Sequence, residues 1–423
     1  MMSTPGRHKH VGVCPAARGA VIAELVRSHP ASAWIVISQD LKAAENLAED
    51  ARFFSAAFGA SPPLEALAFP ESIPDSRDMR EAFAASGDRL TVLSRLRERR
   101  SSPGSPPSLA VFATPASLLQ PVPAIEEYEA REIVLTRGAR QPFQDLIQRL
   151  SDLDYDSEAV CESPGHYAVR GGIIDVYPVT ATEPYRLDFF GDEIEDIRAL
   201  DPVTQRSGAR VERISVAASP RLRMEPAKTG IADYLGRDAR IVFVEPAALE
   251  EEFRAMADTG SAGLGPLLAT AAGIFGIGEL DEASEVFAGC ASEVVWDTES
   301  LAHHRSLADE ALLARDRLDA EEDARRAFMG RLAAWKREGF AFVFATQKDG
   351  EERRIREILT AGGVLGLLEP VFLRGGANEG FRQADRPGAT LSPGRPGRGL
   401  ILVTETEIFG RKRPRKGALQ GRA

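Results

Sequence analysis

Pro184-Tyr-Arg-Leu-Asp-Phe-Phe-Gly-Asp-Glu-Ile-Glu-Asp-Ile-Arg198 reads as an antiparallel hairpin closed by Gly191-Asp192, because glycine accepts the positive φ that a two-residue hairpin turn needs. Side chains alternate faces along a strand, so Tyr185, Leu187 and Phe189 lie on one side and Arg186, Asp188 and Phe190 on the other. The first set is an ordinary core face. The second puts a large apolar ring beside an arginine and an aspartate, and Phe and Arg are both residue types that anchor protein interfaces. The period leaves two readings level. Either Phe190 and Arg186 face a partner, or Phe190 packs beneath the loop at 201–208 while Arg186 pairs with Asp188 or Glu193. Arg170, just before Gly171-Gly172, joins the same surface if its strand lies alongside.

Around the hairpin the chain keeps the same character. Strand-like runs at 131–135, 167–170, 173–177 and 194–200, with one short helix at 142–150, make an α+β segment dominated by antiparallel strands. On both sides the pattern changes to strands alternating with helices. Before the segment come a short apolar start at 11–14, a helix at 20–27, a strand at 33–38, helices at 42–54 and 88–99, and a strand at 109–114 followed by Pro115 opening a helix. After it come a strand at 239–244 and a helix at 246–255. A long polar helix at 303–328, a strand at 341–346, a helix at 350–359 and a strand at 400–404 complete the chain. The expected organisation is therefore multidomain and α/β. An α/β domain (1–124 and 216–300) is interrupted by an α+β insert (125–215), then followed by a connector helix (301–328), a small α/β domain (329–410) and a basic tail (411–423). The Gly-, Pro- and Arg-rich stretch at 374–398 reads as a mobile loop, and 101–108 as a surface loop.

Composition limits what such a chain can do. Among 423 residues, 43% are apolar and 27% charged, as in ordinary soluble domains, and no apolar run is long enough to cross a bilayer. The first ten residues lack the apolar core of a secretory signal, which with three scattered cysteines points to the cytoplasm. Cys14, Cys161 and Cys290 form no paired motif, and His303-His304 has no cysteine nearby, so no metal site is expected. A net charge of −11 argues against an extended sequence-independent DNA-binding face. The basic run Arg411-Lys412-Arg413-Pro414-Arg415-Lys416 reads as a solvated linker, with DNA contact by it and by the arginines of 382–398 as the alternative.

Gly12-Val-Cys-Pro-Ala-Ala-Arg-Gly19 stands where a phosphate-binding loop would stand, between a strand and a helix. A working loop follows Gly-x4-Gly-Lys-Ser/Thr. Here Gly12 matches, Ala17 replaces the second glycine, Arg18 the lysine that reaches the terminal phosphates, and Gly19 the hydroxyl that holds magnesium. Pro15 removes one further N–H donor. The expectation is no ATP hydrolysis, no catalytic residue and no cofactor in this chain.

The run Gly165-His-Tyr-Ala-Val-Arg-Gly-Gly-Ile-Ile-Asp-Val-Tyr-Pro178, the hairpin 184–198 and Asp201-Pro-Val-Thr-Gln-Arg-Ser207 together closely resemble the UvrA-interacting domain shared by UvrB and the transcription-repair coupling factors. Leu67-Ala-Phe-Pro70, the run at 87–96 and Val403-Thr-Glu-Thr-Glu-Ile-Phe-Gly410 side with the coupling factors. The resemblance implies a UvrB-like α/β domain with a degenerate phosphate loop, and a docking module that recruits UvrA in transcription-coupled nucleotide excision repair. It places the family's contact positions on Arg170, Arg186 and Phe190. It also implies that ATP, magnesium, RNA polymerase and DNA are engaged only by motor and polymerase-binding domains beyond Ala423, leaving a monomer with an openly accessible UvrA surface. The alternative is a UvrB-like, ATP-dependent DNA-damage-binding subunit of the excision nuclease.

Overall fold

The structure, a computed structural model, describes residues 6–30, 32–73, 78–101, 107–221, 229–258, 264–304, 314–391 and 398–409. Described residues of the spans Met1–Leu67, Ser105–Pro115 and Arg237–Arg415 form one compact unit, and those of Ala68–Gly104 and Ala116–Gly236 form another. The protein is multidomain and α/β, with both parallel and antiparallel strand pairing. The basic run at 411–416 and most of the 101–108 loop lie outside the described residues.

The first unit holds a seven-stranded sheet in the order Ser292–Val295, Gly6–Val11, Gly273–Ile277, Arg240–Val244, Ala33–Ile37, Leu109–Ala113, Glu65–Phe69. Gly6–Val11 runs parallel to both of its neighbours, and Ala33–Ile37 runs parallel to Arg240–Val244 and Leu109–Ala113. The α/β stretches before and after the insert thus share one sheet. Ala33–Ile37 and Leu109–Ala113 are buried throughout, as expected of continuous apolar runs covered on both faces. The polar run Gly6–Val11 was not legible as a strand. It lies inside the sheet because half-buried His8 stacks on Phe275 (ring centroids 5.1 Å apart) and buried His10 accepts a hydrogen bond from the Trp296 indole (3.0 Å), so both imidazoles act as flat, partnered groups. Helix Leu41–Ala57 is capped by Asp40, whose carboxylate accepts from the Ala43 N–H (2.8 Å).

A five-stranded sheet completes this unit, in the order Asp297–Ser300, Phe381–Ala384, Gly399–Val403, Phe340–Thr346, Val371–Arg374. Two expectations are corrected here. The stretch 374–398 is not a loop throughout: Phe381–Ala384 lies inside the sheet, antiparallel to both neighbours, with Phe381, Gln383, Ala389 and Leu391 buried. Its Gly and Arg content hid a strand held by tertiary packing. The long helix read at 303–328, described from Ala314, extends on to Arg337, because its apolar stripe Phe328, Leu332, Trp335 is what packs into the core. Thr404 and Glu407 cap helix Glu405–Phe409: the Thr404 hydroxyl accepts from the Thr406 N–H (3.2 Å), and the Glu407 carboxylate accepts from the Thr404 N–H and hydroxyl (2.7 Å each) and from the Gly380 N–H (3.1 Å).

The second unit carries a six-stranded sheet in the order Ser207–Arg210, Glu193–Leu200, Tyr185–Phe190, Ile173–Val176, His166–Arg170, Asp156–Ser157, beside the antiparallel pair Glu132–Thr136 and Arg213–Ala217. It is wider than the 125–215 insert, since helix Met79–Ser101 belongs with it. On that helix Arg89 is buried, lies 4.1 Å over the Phe69 ring, and donates to the carbonyls of Pro70 (2.9 Å) and Ser117 (3.1 Å). Desolvation lowers its pKa to about 10, and the guanidinium still stays charged at neutral pH. Among the described residues no helix is long and apolar enough to cross a membrane.

Candidate functional site

The loop at 12–19 has lost more than its motif. Residues Pro15–Ala17 form a single 3-10 turn with Ala16 and Ala17 buried. The backbone donors that a working loop would aim at phosphate oxygens are already engaged: Val13 N–H donates to the Gly278 carbonyl (3.1 Å), Cys14 N–H to the Thr298 hydroxyl (2.7 Å) and Ala17 N–H to the Cys14 carbonyl (2.9 Å). The Thr298 hydroxyl in turn donates to the Gly12 carbonyl (2.8 Å). Strand Asp297–Ser300 therefore sits across the loop, tied to it by one threonine. Gly12 has φ +74°, and a Cβ there would lie 2.3 Å from the Trp296 carbonyl oxygen, so its glycine serves this close crossing of two backbones. Gly19 is required for a different reason. A Cβ at 19 would lie 2.4 Å from the Asp50 Cβ, so the absence of Ser or Thr here follows from how closely helix Leu41–Ala57 packs. Arg18 forms an ion pair with Glu245, so its charge is met by a carboxylate of the same unit.

The hairpin is laid out differently. Phe190 pairs with Glu193 and Arg186 with Arg198, which puts the turn at Gly191-Asp192. Ile173 pairs with both Arg170 and Asp188, and Asp175 with both Ala168 and Arg186. Residues directly opposite across a ladder share a face, so Arg170, Arg186 and Phe190 stand on one side of the sheet. On the other side Leu187 is buried and Phe189 meets Phe143 edge to face at 5.1 Å.

The three residues sit in unequal surroundings. Phe190 is 80% exposed and does not pack beneath the 201–208 loop. Arg170 donates to the Ala159 carbonyl (2.7 Å), which fixes the guanidinium near the sheet edge. Arg186 pairs with neither Asp188 nor Glu193. Its Nε and Nη2 donate to the two oxygens of Asp175 at 2.7 and 2.8 Å, with side chains 17% and 1% exposed. That hydrogen bond, outweighing desolvation, raises the already high pKa of Arg186. Asp175 was missed although a signal existed: a carboxylate inside the apolar run Ile173-Ile-Asp-Val-Tyr177 must find a cation, and Arg186 lies on the neighbouring strand. Asp196, also missed, accepts from Arg198 and from Arg210 (2.7 Å each). Burial would raise the Asp196 pKa, and those two guanidiniums more than reverse it. The face is thus a lattice of paired Arg and Asp, with Phe190 projecting at one end. Described arginines of the 382–398 stretch are also paired: Arg382 with Glu299 (3.0 Å), Arg386 with Asp297 (3.1 Å) and Arg398 with Glu338 (4.0 Å).

Comparison with known proteins matches residues 133–221 to the UvrB interaction domain family. The transcription-repair-coupling factor of Mycobacterium tuberculosis is 34% identical over 197 residues, 46% of this chain and 15% of that protein. That of Myxococcus xanthus is 31% identical over 238 residues, 52% of this chain and 19% of that protein. UvrABC system protein B of Thermus thermophilus is 40% identical over 78 residues, 18% of this chain and 12% of that protein. The chain therefore spans less than a fifth of the length of each of these relatives. Residues 133–221 are thus similar to the UvrB interaction domain family, and the chain that carries them is similar to transcription-repair-coupling factors.

Proposed function

We propose that the 133–221 domain is a docking surface for UvrA, and that the chain serves nucleotide excision repair by recruitment instead of by chemistry of its own. The exposure of Phe190, on the same sheet face as Arg170 and Arg186, carries this reading. A phenyl ring left in water at the tip of a two-residue turn is poised to enter an apolar socket, and burying it there is worth roughly 2 kcal/mol by area. Arg170 offers a charged rim. Arg186 acts through Asp175 as a positioning residue: the pair holds strand Tyr185–Phe190 against Ile173–Val176 and so aims the ring. Transcription coupling, which the relatives' name describes, is the setting proposed for this docking step.

The same reading assigns no nucleotide hydrolysis to the loop at 12–19. The engaged donors of Val13 and Cys14, the Trp296 backbone over Gly12 and the Arg18–Glu245 pair all support it. The alternative, a UvrB-like ATP-dependent subunit, predicts DNA-stimulated phosphate release from the purified chain, and turnover in that assay would replace the docking reading's second half. The docking half is tested by calorimetric titration with UvrA. Phe190→Ala is expected to weaken binding about tenfold or more, as interface anchors do, and unchanged affinity would remove Phe190 from the surface.

A further inference from the structure

Val203 and Phe190 are the two most exposed large apolar side chains among the described residues, at 89% and 80%. Both belong to the same domain. Phe190 stands at the turn end of the hairpin, and Val203 lies in the loop that leaves its other end, between Glu193–Leu200 and Ser207–Arg210. That loop is unusually well fixed. The Asp201 carboxylate accepts from the N–H groups of Val203 (2.9 Å) and Thr204 (2.8 Å). Gln205 N–H donates to the Asp201 carbonyl (2.8 Å) and Asp201 N–H to the Arg206 carbonyl (3.0 Å). The Gln205 side chain donates to the Pro202 carbonyl (2.7 Å). Gln205 itself is held at φ +57°, a left-handed conformation that a residue with a Cβ adopts at a cost. The Arg186 guanidinium reaches the Ser207 hydroxyl (3.4 Å), linking the loop's far end to the docking face.

A loop that spends five hydrogen bonds and a strained residue to hold a valine out in water is preorganised for contact, because the ordering entropy is already met before any partner arrives. We infer that Val203 is a second anchor on the same partner that takes Phe190, an inference that rests on the docking reading above. The strand Tyr185–Phe190 spans roughly 20 Å at about 3.3 Å per residue, and a standard interface patch of about 800 Å² per partner is wide enough to cover both ends. The partner surface this fits has two apolar sockets about that far apart, and between them carboxylates or carbonyls that can approach the arginine-studded sheet face.

The experiment titrates the full chain with purified UvrA, comparing wild type with Val203→Asp, Val203→Ala and Phe190→Ala, each checked for an unchanged melting temperature. Val203→Asp is expected to weaken binding at least tenfold, and Val203→Ala by a smaller factor of about three to ten. Wild-type affinity in both Val203 variants, with Phe190→Ala weakened, overturns the inference and leaves the docking reading intact. Wild-type affinity in all three removes the docking reading and this inference with it. Weakening by Val203→Asp alone, with both alanine variants at wild-type affinity, reports repulsion of the new carboxylate and not an anchor, and overturns the inference.

Discussion

The Gly12–Gly19 loop and the Phe190 hairpin are both turns that join regular elements next to a glycine, and the chain treats them in opposite ways. Around the loop the polar groups are turned inward: Cys14 N–H meets Thr298, Val13 N–H meets Gly278, and Arg18 meets Glu245. Around the hairpin the backbone is equally satisfied, yet the largest side chain is left in water. The difference lies in what each segment leaves unmet. A loop with its donors engaged has little to offer a phosphate, whereas a satisfied sheet with a bare phenyl ring still gains from meeting another protein.

The strongest way to break the comparison is to rewrite the loop. The triple variant Ala17→Gly, Arg18→Lys, Gly19→Thr restores a phosphate-loop sequence. It is expected to destabilise the protein by about 4 kcal/mol, or to prevent folding, because the new side chain at 19 must displace Asp50 and the Glu245 carboxylate loses its guanidinium. Denaturant unfolding measures the loss, and a fluorescent-nucleotide titration should still detect no binding. Wild-type stability together with nucleotide binding would show that the loop is closed only by its sequence and not by its packing.

Within the hairpin, Arg186 and Phe190 separate by the same logic. Arg186→Ala leaves the Asp175 carboxylate buried without its cation, and about 3 kcal/mol of stability should go with it. Replacing both partners by apolar residues of similar volume should recover most of that loss. If Arg186→Ala unfolds at the same denaturant concentration as wild type, the pair does not hold the strand, and Arg186 returns to being a direct contact residue.

These contrasts mark what the sequence allowed one to read. The alternation at 185–190 found the outward face, and the turn was where Gly191-Asp192 indicated. The partner of Arg186 was not found, because pairing across strands depends on register, and register is set by sheet order, which local periodicity does not contain. The losses at Ala17, Arg18 and Gly19 were visible, but not the reason for Gly19, which is the approach of a helix thirty residues further on. Strand Phe381–Ala384 escaped notice because its flanks are turn-rich and only burial of Phe381 and Gln383 makes it regular. Gly6–Val11 was hidden by its histidines.

One of those histidines gives a pH test of the closed loop. Trp296, whose carbonyl covers Gly12, donates its indole N–H to His10. Burial, and secondarily His8, lowers the His10 pKa to about 4 from 6.5. A histidine that cannot protonate in the fold but can in the unfolded chain adds stability above pH 6.5 and loses it as pH falls toward 4. The slope is about 1.4 kcal/mol per pH unit at most, giving a loss of about 2–3 kcal/mol across the window. Unfolding free energies at several pH values should show this limb in wild type and a flatter one in His10→Gln. An identical acid limb in both would remove His10 from the closure.

The smallest expected effect is the most discriminating. Phe190→Ala should change folding stability by less than about 0.5 kcal/mol, since a ring 80% exposed gives up little buried area when it is removed. The same substitution is expected to cost more than 1 kcal/mol of binding. Few residues separate the two quantities so widely. A core phenylalanine such as Phe112, fully buried in the parallel sheet, would lose several kcal/mol of stability if truncated. If Phe190→Ala proved to destabilise the domain by more than 1 kcal/mol, the ring would have to be packed in solution, the hairpin would no longer differ in kind from the loop, and weakened binding by that variant would no longer speak for a contact.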